Sequence, residues 1–261
     1  MAAPVDTNRL ATNGSTAGNP ITCNLPSGIV SGDLILLVLR TNNASITTPG
    51  GWNALRNAFP AESGTDDALL VAYRISDGTE GGSVSVTLGA NAKFASIAWR
   101  ITGITSGTAP EIAVTVASSQ GTSVDPPSLS PTGGSKEYLW MWLGGWTGEQ
   151  TSPPASGPTN YSNWTGANSG TGGSTASNCR VAGGSRQLTG SSENPPAVTI
   201  SVADWWTGMT VAIYPLAGTE YTDSATVYLT LTPSGTDTYT ALPAGPVPLK
   251  RKPAHRFLTV R

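Results

Sequence analysis

Short stretches in which apolar and polar residues alternate recur along most of the chain. Two neighbouring examples place apolar residues at every second position: Val84, Val86 and Leu88, then Ala95, Ile97, Trp99 and Ile101. This period of two puts successive side chains on opposite faces of a strand. No stretch of about eleven residues carries a capped apolar stripe of helical period, so we expect strands and no helix longer than a single turn.

The composition agrees with many strands joined by turns. The 261 residues include 31 Gly and 20 Pro, and only 11% are charged, whereas 38% are hydrophobic, which suffices to fill a core. The run Leu34 to Leu39 is apolar throughout and predicts a strand that is buried on both faces.

The chain also contains an internal repeat. SVSVTLGANAKFASIAWRITG (83–103) aligns without a gap with AVTISVADWWTGMTVAIYPLA (197–217), and GDLILLVL (32–39) matches KEYLWMWL (136–143). The same order of pieces in both halves predicts two related Greek-key halves that close on one core, with a long Gly/Ser/Asn-rich insertion at 144–178. We therefore predict an all-β, jelly-roll-like β-sandwich over residues 1–218.

The C-terminal part follows a different pattern. TDSATVYLTLTPSGTDTYT (222–240) predicts a strand that is turned by Pro-Ser-Gly, so residues 219–241 are expected to form a β-linker or short hairpin. Residues 242–261 are rich in proline and are expected to form an extended arm. The last part of this arm, 250–261, holds five of the 14 Lys and Arg residues and no acidic residue.

Several classes of function lack their sequence signals. The N-terminus does not show a basic region followed by an apolar one, and the longest aliphatic run is too short to span a bilayer, so we expect synthesis in the cytoplasm without membrane insertion. The single histidine, His255, lies in the arm, which disfavours nucleophilic catalysis. There is no phosphate-binding loop, and five basic residues beside an acidic body are a weak signal for nucleic acid.

Metal and disulfide signals are also weak. Cys23 and Cys179 are the only cysteines, and they have no histidine at zinc-ligand spacing. Two separate buried thiols are the simpler interpretation, with a disulfide as the alternative. No cofactor or metal is predicted, although a calcium ion between loops stays open.

The strand residues carry a resemblance to a known family. GDLILLVLRTNN, TTPGGW, DDALLVAYRISDGTEGGSVSVTL, ASIAWRITGI, DPPSLSPTGGSKEYLWMWLGGW and PPAVTISVADWWTGMTVAIYPLAG resemble a β-sandwich domain of minor structural proteins of tailed bacteriophages, labelled minor tail or fibre-like proteins. EYTDSATVYLTLTPSGTDTYT is similar to a stalk repeat of the same class. The resemblance implies a place on the virion surface more than any chemistry. The absence of further repeats favours a compact accessory or decoration role over a fibre role.

Paired carboxylates are the one catalytic arrangement to weigh. Glu62, Asp66 and Asp67 cluster in a loop, and Asp204 adjoins two tryptophans, a combination that a glycan hydrolase could use. The simpler interpretation is that Asp66 and Asp67 solvate the turn before the next strand and that Asp204 accepts hydrogen bonds in a turn. We predict that the protein is not an enzyme.

Aromatic residues are concentrated in the second half. Five of them are candidates for contact with a glycan or a partner protein: Trp146, Tyr161, Trp164, Trp205 and Trp206. Exposed aromatic rings beside Asn and Ser could stack on sugars, whereas anchoring of the loops is the simpler interpretation. Alternation assigns Trp140 and Trp142 to one strand face, where core packing is expected.

The basic arm is predicted to dock on another virion protein. Its docking residues would be Lys250, Arg251, Lys252, Arg256, Phe257, Leu258 and Val260. The apolar tip would add a strand to a neighbour's sheet while the cations pair with an acidic surface.

The expected function is thus that of a minor tail or tail-accessory protein. The alternatives are a capsid decoration protein, a glycan-binding host adhesin and, last, a glycan hydrolase. The partners would be tail or major capsid proteins, and homo-oligomers, trimeric or following the symmetry of the virion, are compatible with this role.

Overall fold

The computed structural model describes residues 3–62, 65–105, 107–148, 154–170 and 178–216. The predicted β-linker (219–241) and the predicted arm (242–261) lie outside these residues. The described residues contain fourteen strands: β1 (Val5–Gly18), β2 (Ile21–Asn24), β3 (Leu34–Thr41), β4 (Asn53–Ala58), β5 (Ala68–Ile75), β6 (Ser83–Val86), β7 (Ala92–Thr102), β8 (Glu111–Val116), β9 (Gly121–Val124), β10 (Lys136–Thr147), β11 (Ser162–Asn168), β12 (Cys179–Gly190), β13 (Val198–Asp204) and β14 (Trp206–Ile213).

These strands form two large and two small antiparallel sheets. Sheet I has the order β1-β7-β3-β5-β4, and sheet II has the order β11-β12-β10-β14-β8. The small sheets are the pairs β2-β6 and β9-β13. The predicted all-β sandwich is confirmed, while its finer description as a jelly roll stays a prediction.

The two halves of the chain repeat the same topology. Strands β1 to β7 of the first half correspond in order to β8 to β14 of the second half. With this correspondence, sheet II has the same strand order as sheet I, and the pair β9-β13 corresponds to the pair β2-β6. The repeat found in the sequence therefore extends to seven strands per half, and each large sheet comes entirely from one half.

The register corrects part of the sequence alignment of the halves. The sequence alignment matches Leu36 with Trp140 and Trp99 with Ile213. Leu36 pairs with Trp99 in sheet I, so the alignment predicts that Trp140 pairs with Ile213 in sheet II. Trp140 pairs with Ala212 instead. Leu36 faces the core between the large sheets, whereas Trp140 faces the opposite side of its own sheet. The match of β3 with β10 is wrong by one residue, because β3 is buried on both faces and alternation cannot mark its inward side.

The principal core lies between sheets I and II. It is formed by alternate residues of the central strands, with Trp99 and Met141 among the fully buried side chains. Contact across the sheets continues at one edge, where Ser185 Oγ donates to Asp6 Oδ2 at 3.1 Å and the Asn168 amide donates to Asn13 Oδ1 at 2.9 Å. This edge joins β1 to the β11-β12 side of sheet II.

A second apolar layer covers the outer face of each large sheet. On sheet I, residues of β2 and β6 pack with Ile35, Leu37 and Leu39. On sheet II, residues of β9 and β13 pack with Trp142 and Trp146. Each large sheet is therefore buried on both faces, which explains why β3 has no exposed residue.

In the part of the chain that the structure describes, no helix has the length and apolarity needed to cross a membrane.

Candidate functional site

The aromatic side chains of the second half lie mostly on the outer face of sheet II. Tyr138, Trp140, Trp142 and Trp146 occupy even positions of β10 and are all fully buried. Alternation along an antiparallel strand places these side chains on one face, as expected for Trp140 and Trp142. The burial of this face results from the loops and the small sheet β9-β13 that pack on it.

The expectation of an exposed Trp146 is wrong. Trp146 is 0% exposed and pairs with Arg180 on one side and Trp206 on the other. The strand continues through Gly144 and Gly145, which the sequence analysis had interpreted as the start of a loop. Trp206 is only 9% exposed, so it too packs in this layer instead of presenting a ring to solvent.

The other three aromatic candidates are partly buried. Trp164 stacks at a tilt on Trp142, with ring centroids 5.1 Å apart, and its indole Nε1 donates to the Pro154 carbonyl oxygen at 2.7 Å. A Cβ atom added to Gly157 would lie 2.4 Å from Cε3 of the same indole, so only glycine permits this approach. Trp164 therefore anchors the loop 154–158, and its side chain is half-buried.

Tyr161 has a similar anchoring role. Its hydroxyl donates to Glu193 Oε1 at 3.2 Å, and Arg186 Nη1 donates to the same oxygen at 3.0 Å. Burial and the adjacent Glu193 carboxylate raise the pKa of Tyr161 above its usual value, so the phenol stays protonated. Trp205 is half-buried beside this layer.

A groove of about 460 Å³ lies beside the anchored loop. Residues 154–159 form one wall, and residues 196–199 at the start of β13 form the other. Its surface combines the rings of Pro154, Pro158 and Pro196 with the hydroxyls of Thr159 and Thr199. Such a lining can contact a neutral ligand that carries hydroxyl groups, and it contains no titratable side chain among the described residues.

A buried ionic cluster lies between sheets I and II, at the end where β3 finishes and β14 begins. Arg40 is 0% exposed, and its Nη1 and Nη2 atoms donate to both oxygens of Glu62 at 2.8 and 2.5 Å. Arg40 Nε also donates to Asp67 Oδ2 at 3.4 Å. Thr207 on β14 donates its hydroxyl to Glu62 Oε1 at 2.6 Å, so the cluster links both sheets.

The pKa values of the two carboxylates in this cluster are shifted in opposite directions. Burial by itself would raise the pKa of Glu62, but the bidentate contact with Arg40 outweighs it and holds this pKa below its usual value. Burial raises the pKa of Asp67 to about 6, because its longer contact with Arg40 does not compensate for desolvation and the nearby Glu62 charge raises this pKa further. When all three are ionised, Arg40, Glu62 and Asp67 together carry one excess negative charge. Protonation of Asp67 removes this charge.

The carboxylates considered for catalysis have different environments. Asp66 is exposed, whereas Asp67 is 4% exposed, so the interpretation that both solvate a turn is wrong for Asp67. Adjacent residues at the start of a strand point to opposite faces, and Asp67 is the one directed inward. Asp204 ends β13 and is 4% exposed. It accepts hydrogen bonds from the Thr147 hydroxyl of β10 and from the Trp205 amide, at 3.0 Å for the latter, so only the second bond is of the local kind expected in a turn.

The two cysteines are free and buried, which confirms the interpretation as separate thiols. Cys179 donates its thiol to the Arg40 carbonyl oxygen at 3.3 Å, whereas Cys23 lies in the outer layer of sheet I. Burial raises the pKa of Cys23 to about 11 and that of Cys179 to about 12. Within the described ranges, no group of three or more His, Cys, Asp or Glu residues is placed to hold a metal ion.

The predicted docking residues of the arm, from Lys250 to Val260, lie outside the described residues. The Arg40 cluster was missed by the sequence analysis, although a signal existed: a lone arginine ends the apolar run of β3. No family model, no curated protein and no solved structure matches the chain.

Proposed function

We propose that the chain is a structural protein on the exterior of a tailed bacteriophage virion, in the role of a minor tail or tail-accessory protein. The proposal is supported by the resemblance of the strand sequences to phage minor structural proteins. The segments that carry it, GDLILLVL and ASIAWRITGI among them, supply β3 and β7 at the centre of sheet I. The C-terminal arm would attach the protein to its neighbour in the particle.

One observation favours binding and assembly over turnover. Glu62 and Asp67 are buried against Arg40, and Asp204 is buried against Thr147. These carboxylates hold the sandwich together, and of the candidates for glycoside hydrolysis only Asp66 faces solvent. A hydrolase of this kind needs two carboxyl groups that face one substrate.

Immunogold labelling of purified particles, with an antibody raised against residues 1–218, tests the location. Label on the tail is the expected result. Label over the head would instead assign the chain to capsid decoration. Absence of label from particles, with the antigen detected in the lysate, would refute the virion proposal.

A second candidate function is glycan binding at the groove beside the loop 154–158. It is favoured by the threonine and proline residues of the lining and by Trp164, which anchors the loop that forms one wall. A binding screen against host wall glycans should then give a ligand whose affinity falls about tenfold or more in Trp164→Ala, since the loop that forms one wall of the groove loses its anchor. Val30→Ala, at an exposed position in the first half, is the matched control.

The glycan proposal fails if no wall glycan binds, or if Trp164→Ala and Val30→Ala bind equally well. Trp146→Ala is not a suitable variant, because the fully buried ring would leave a cavity and report on folding instead.

A further inference from the structure

Strand β8 differs from the other strands at the edges of the large sheets. The outermost strands are β1 and β4 in sheet I and β11 and β8 in sheet II. β1, β4 and β11 each contain a register shift, between Asp6 and Asn8, between Ala54 and Arg56, and between Ser162 and Thr165, respectively. β8 pairs with β14 over six consecutive residues without a shift.

Bulges, lysines and prolines are the usual protection against pairing of exposed edges. The sequence of β8, EIAVTV, contains neither lysine nor proline and is rich in β-branched residues. Its one charged side chain, Glu111, accepts hydrogen bonds from Thr132 and Tyr214 and so is directed to its own subunit. In the described part of the chain this edge is thus straight and shows none of these protections.

The internal repeat supplies a comparison within the molecule. The counterpart of β8 in the first half is β1, whose edge is joined to sheet II by the bonds from Ser185 to Asp6 and from Asn168 to Asn13. Among the described residues, only β14 hydrogen-bonds to the backbone of β8. Equivalent strands therefore differ: side-chain hydrogen bonds connect β1 to the opposite large sheet, whereas within the described ranges no bond of this kind connects β8 to sheet I.

Alternate residues of β8 direct their backbone N–H and C=O groups away from β14. The amide of Ala117, which directly follows β8, donates to the Trp206 carbonyl oxygen at 2.9 Å and so points toward β14. In an antiparallel strand the backbone groups of alternate residues point to opposite sides. The N–H and C=O groups of Ile112, Val114 and Val116 consequently point away from sheet II.

We propose that β8 is a homodimer interface, in which a second copy of the chain adds its own β8 antiparallel to the first. With the two-fold axis at Val114, Ile112 faces Val116 of the second copy, and Ala113 faces Thr115. Each pair joins side chains of the same face, and β-branched pairs of this kind stabilise adjacent strands. The two Glu111 carboxylates lie at opposite ends of the paired strands, so like charges do not meet.

This self-complementarity favours a second copy over an unrelated strand. An isologous contact needs a strand that matches itself, and β8 does so in charge, in side-chain face and in hydrogen-bonding direction. Pairing would join two copies of sheet II into one continuous sheet and would cover Val116, which is 39% exposed. The inference does not depend on the proposed virion role.

Sedimentation equilibrium of the purified full-length chain tests the proposal. The expected species at high concentration has twice the chain mass of 26.7 kDa. Val116→Pro removes one outward N–H from each copy, and Val116→Lys adds a charge at an exposed position. Because each change acts twice in a symmetric interface, we expect the dissociation constant to rise about thirtyfold or more.

Val30→Lys is the matched control, since Val30 is 53% exposed and lies in the first half. It should leave the dimer intact, and circular dichroism should show that all three variants keep the strand content of the wild type. Amide hydrogen exchange should also show Ile112, Val114 and Val116 protected in the dimer and exchanging faster on dilution.

A wild-type chain that is monomeric or trimeric throughout the concentration series would overturn the proposal. So would a dimer that both Val116 variants retain, because its interface would lie elsewhere, for example with β8 left to a strand of another protein. Equal loss of the dimer in Val30→Lys would likewise exclude β8 as the specific contact.

Discussion

Asp67→Asn should stabilise the protein at neutral pH, and this stabilisation should shrink as the pH falls from about 6 toward 4. Asp67 lies beside Arg40 and Glu62 in the buried ionic cluster, where Glu62 holds the arginine through the shorter contacts. Asparagine keeps the shape of the side chain and an oxygen that can accept from Arg40 Nε. It removes the excess negative charge, which is the unfavourable component of the cluster.

The magnitude follows from the pKa of Asp67, which is raised from 3.8 to about 6 by folding. Each pKa unit corresponds to about 1.4 kcal/mol, so ionised Asp67 costs up to about 3 kcal/mol of folding free energy above pH 6. Because the folded-state value is the higher one, this cost disappears as the pH falls from about 6 toward 4. Glu62 acts in the opposite direction, since its lowered pKa gives stability that is lost only below its reference value of 4.5.

Urea unfolding followed by tryptophan fluorescence at pH 8 and pH 5 measures the difference. The wild type should be more stable at pH 5, and Asp67→Asn should show a smaller gain on acidification. Burial also raises the pKa values of Asp6 and Asp204, so part of the wild-type gain should persist in the variant. Asp66→Asn, at the exposed neighbouring position, is the matched control and should follow the wild type.

The reasoning would be refuted if Asp67→Asn were less stable than the wild type at pH 8. It would also be refuted if the two proteins differed by the same amount at both pH values, because the effect would then not come from the charge of Asp67.

Two further predictions concern the core. Gly183→Ala should lower the free energy of unfolding by about 1–3 kcal/mol in urea titrations, because the added Cβ would lie 2.8 Å from Cζ2 of the rigid Trp99 indole. Gly50→Ala, with no atom within 4 Å of the added Cβ, should cost much less, and equal costs would contradict the packing argument. Cys23 and Cys179 should resist a thiol reagent at pH 8 in the folded protein and react in urea, since both are buried and their pKa values are raised to about 11 and 12. Rapid labelling of either thiol in the native state would count against their burial.

The strand content and the duplicated order were accessible from the sequence, because alternation and turn residues are local signals. The positions of β3, β7, β10 and β14 follow from their apolar patterns. The exact pairing did not follow, since a strand buried on both faces, such as β3, carries no mark of which face points inward.

The candidate site was harder to predict from the sequence, because it depends on contacts between distant segments. Trp146 looked like a loop residue because Gly144 and Gly145 precede it, yet the pairing of β10 with β12 and β14 continues through both glycines. The Arg40 cluster joins residues far apart in the chain, and only the packed sheets bring Thr207 to Glu62. Local patterns cannot report such a contact.

The two similar but non-identical halves are covalently connected, so the protein can carry a different outer surface on each half. A homodimer of two identical seven-stranded chains with the same arrangement would carry every surface feature twice, once on each chain. In the fused chain the halves are free to differ, and among the described residues the loop anchored by Trp164 and the groove beside it belong to the second half. The two large sheets of the described sandwich therefore carry different outer surfaces, and one orientation on a larger assembly could expose the surface with the groove while covering the other.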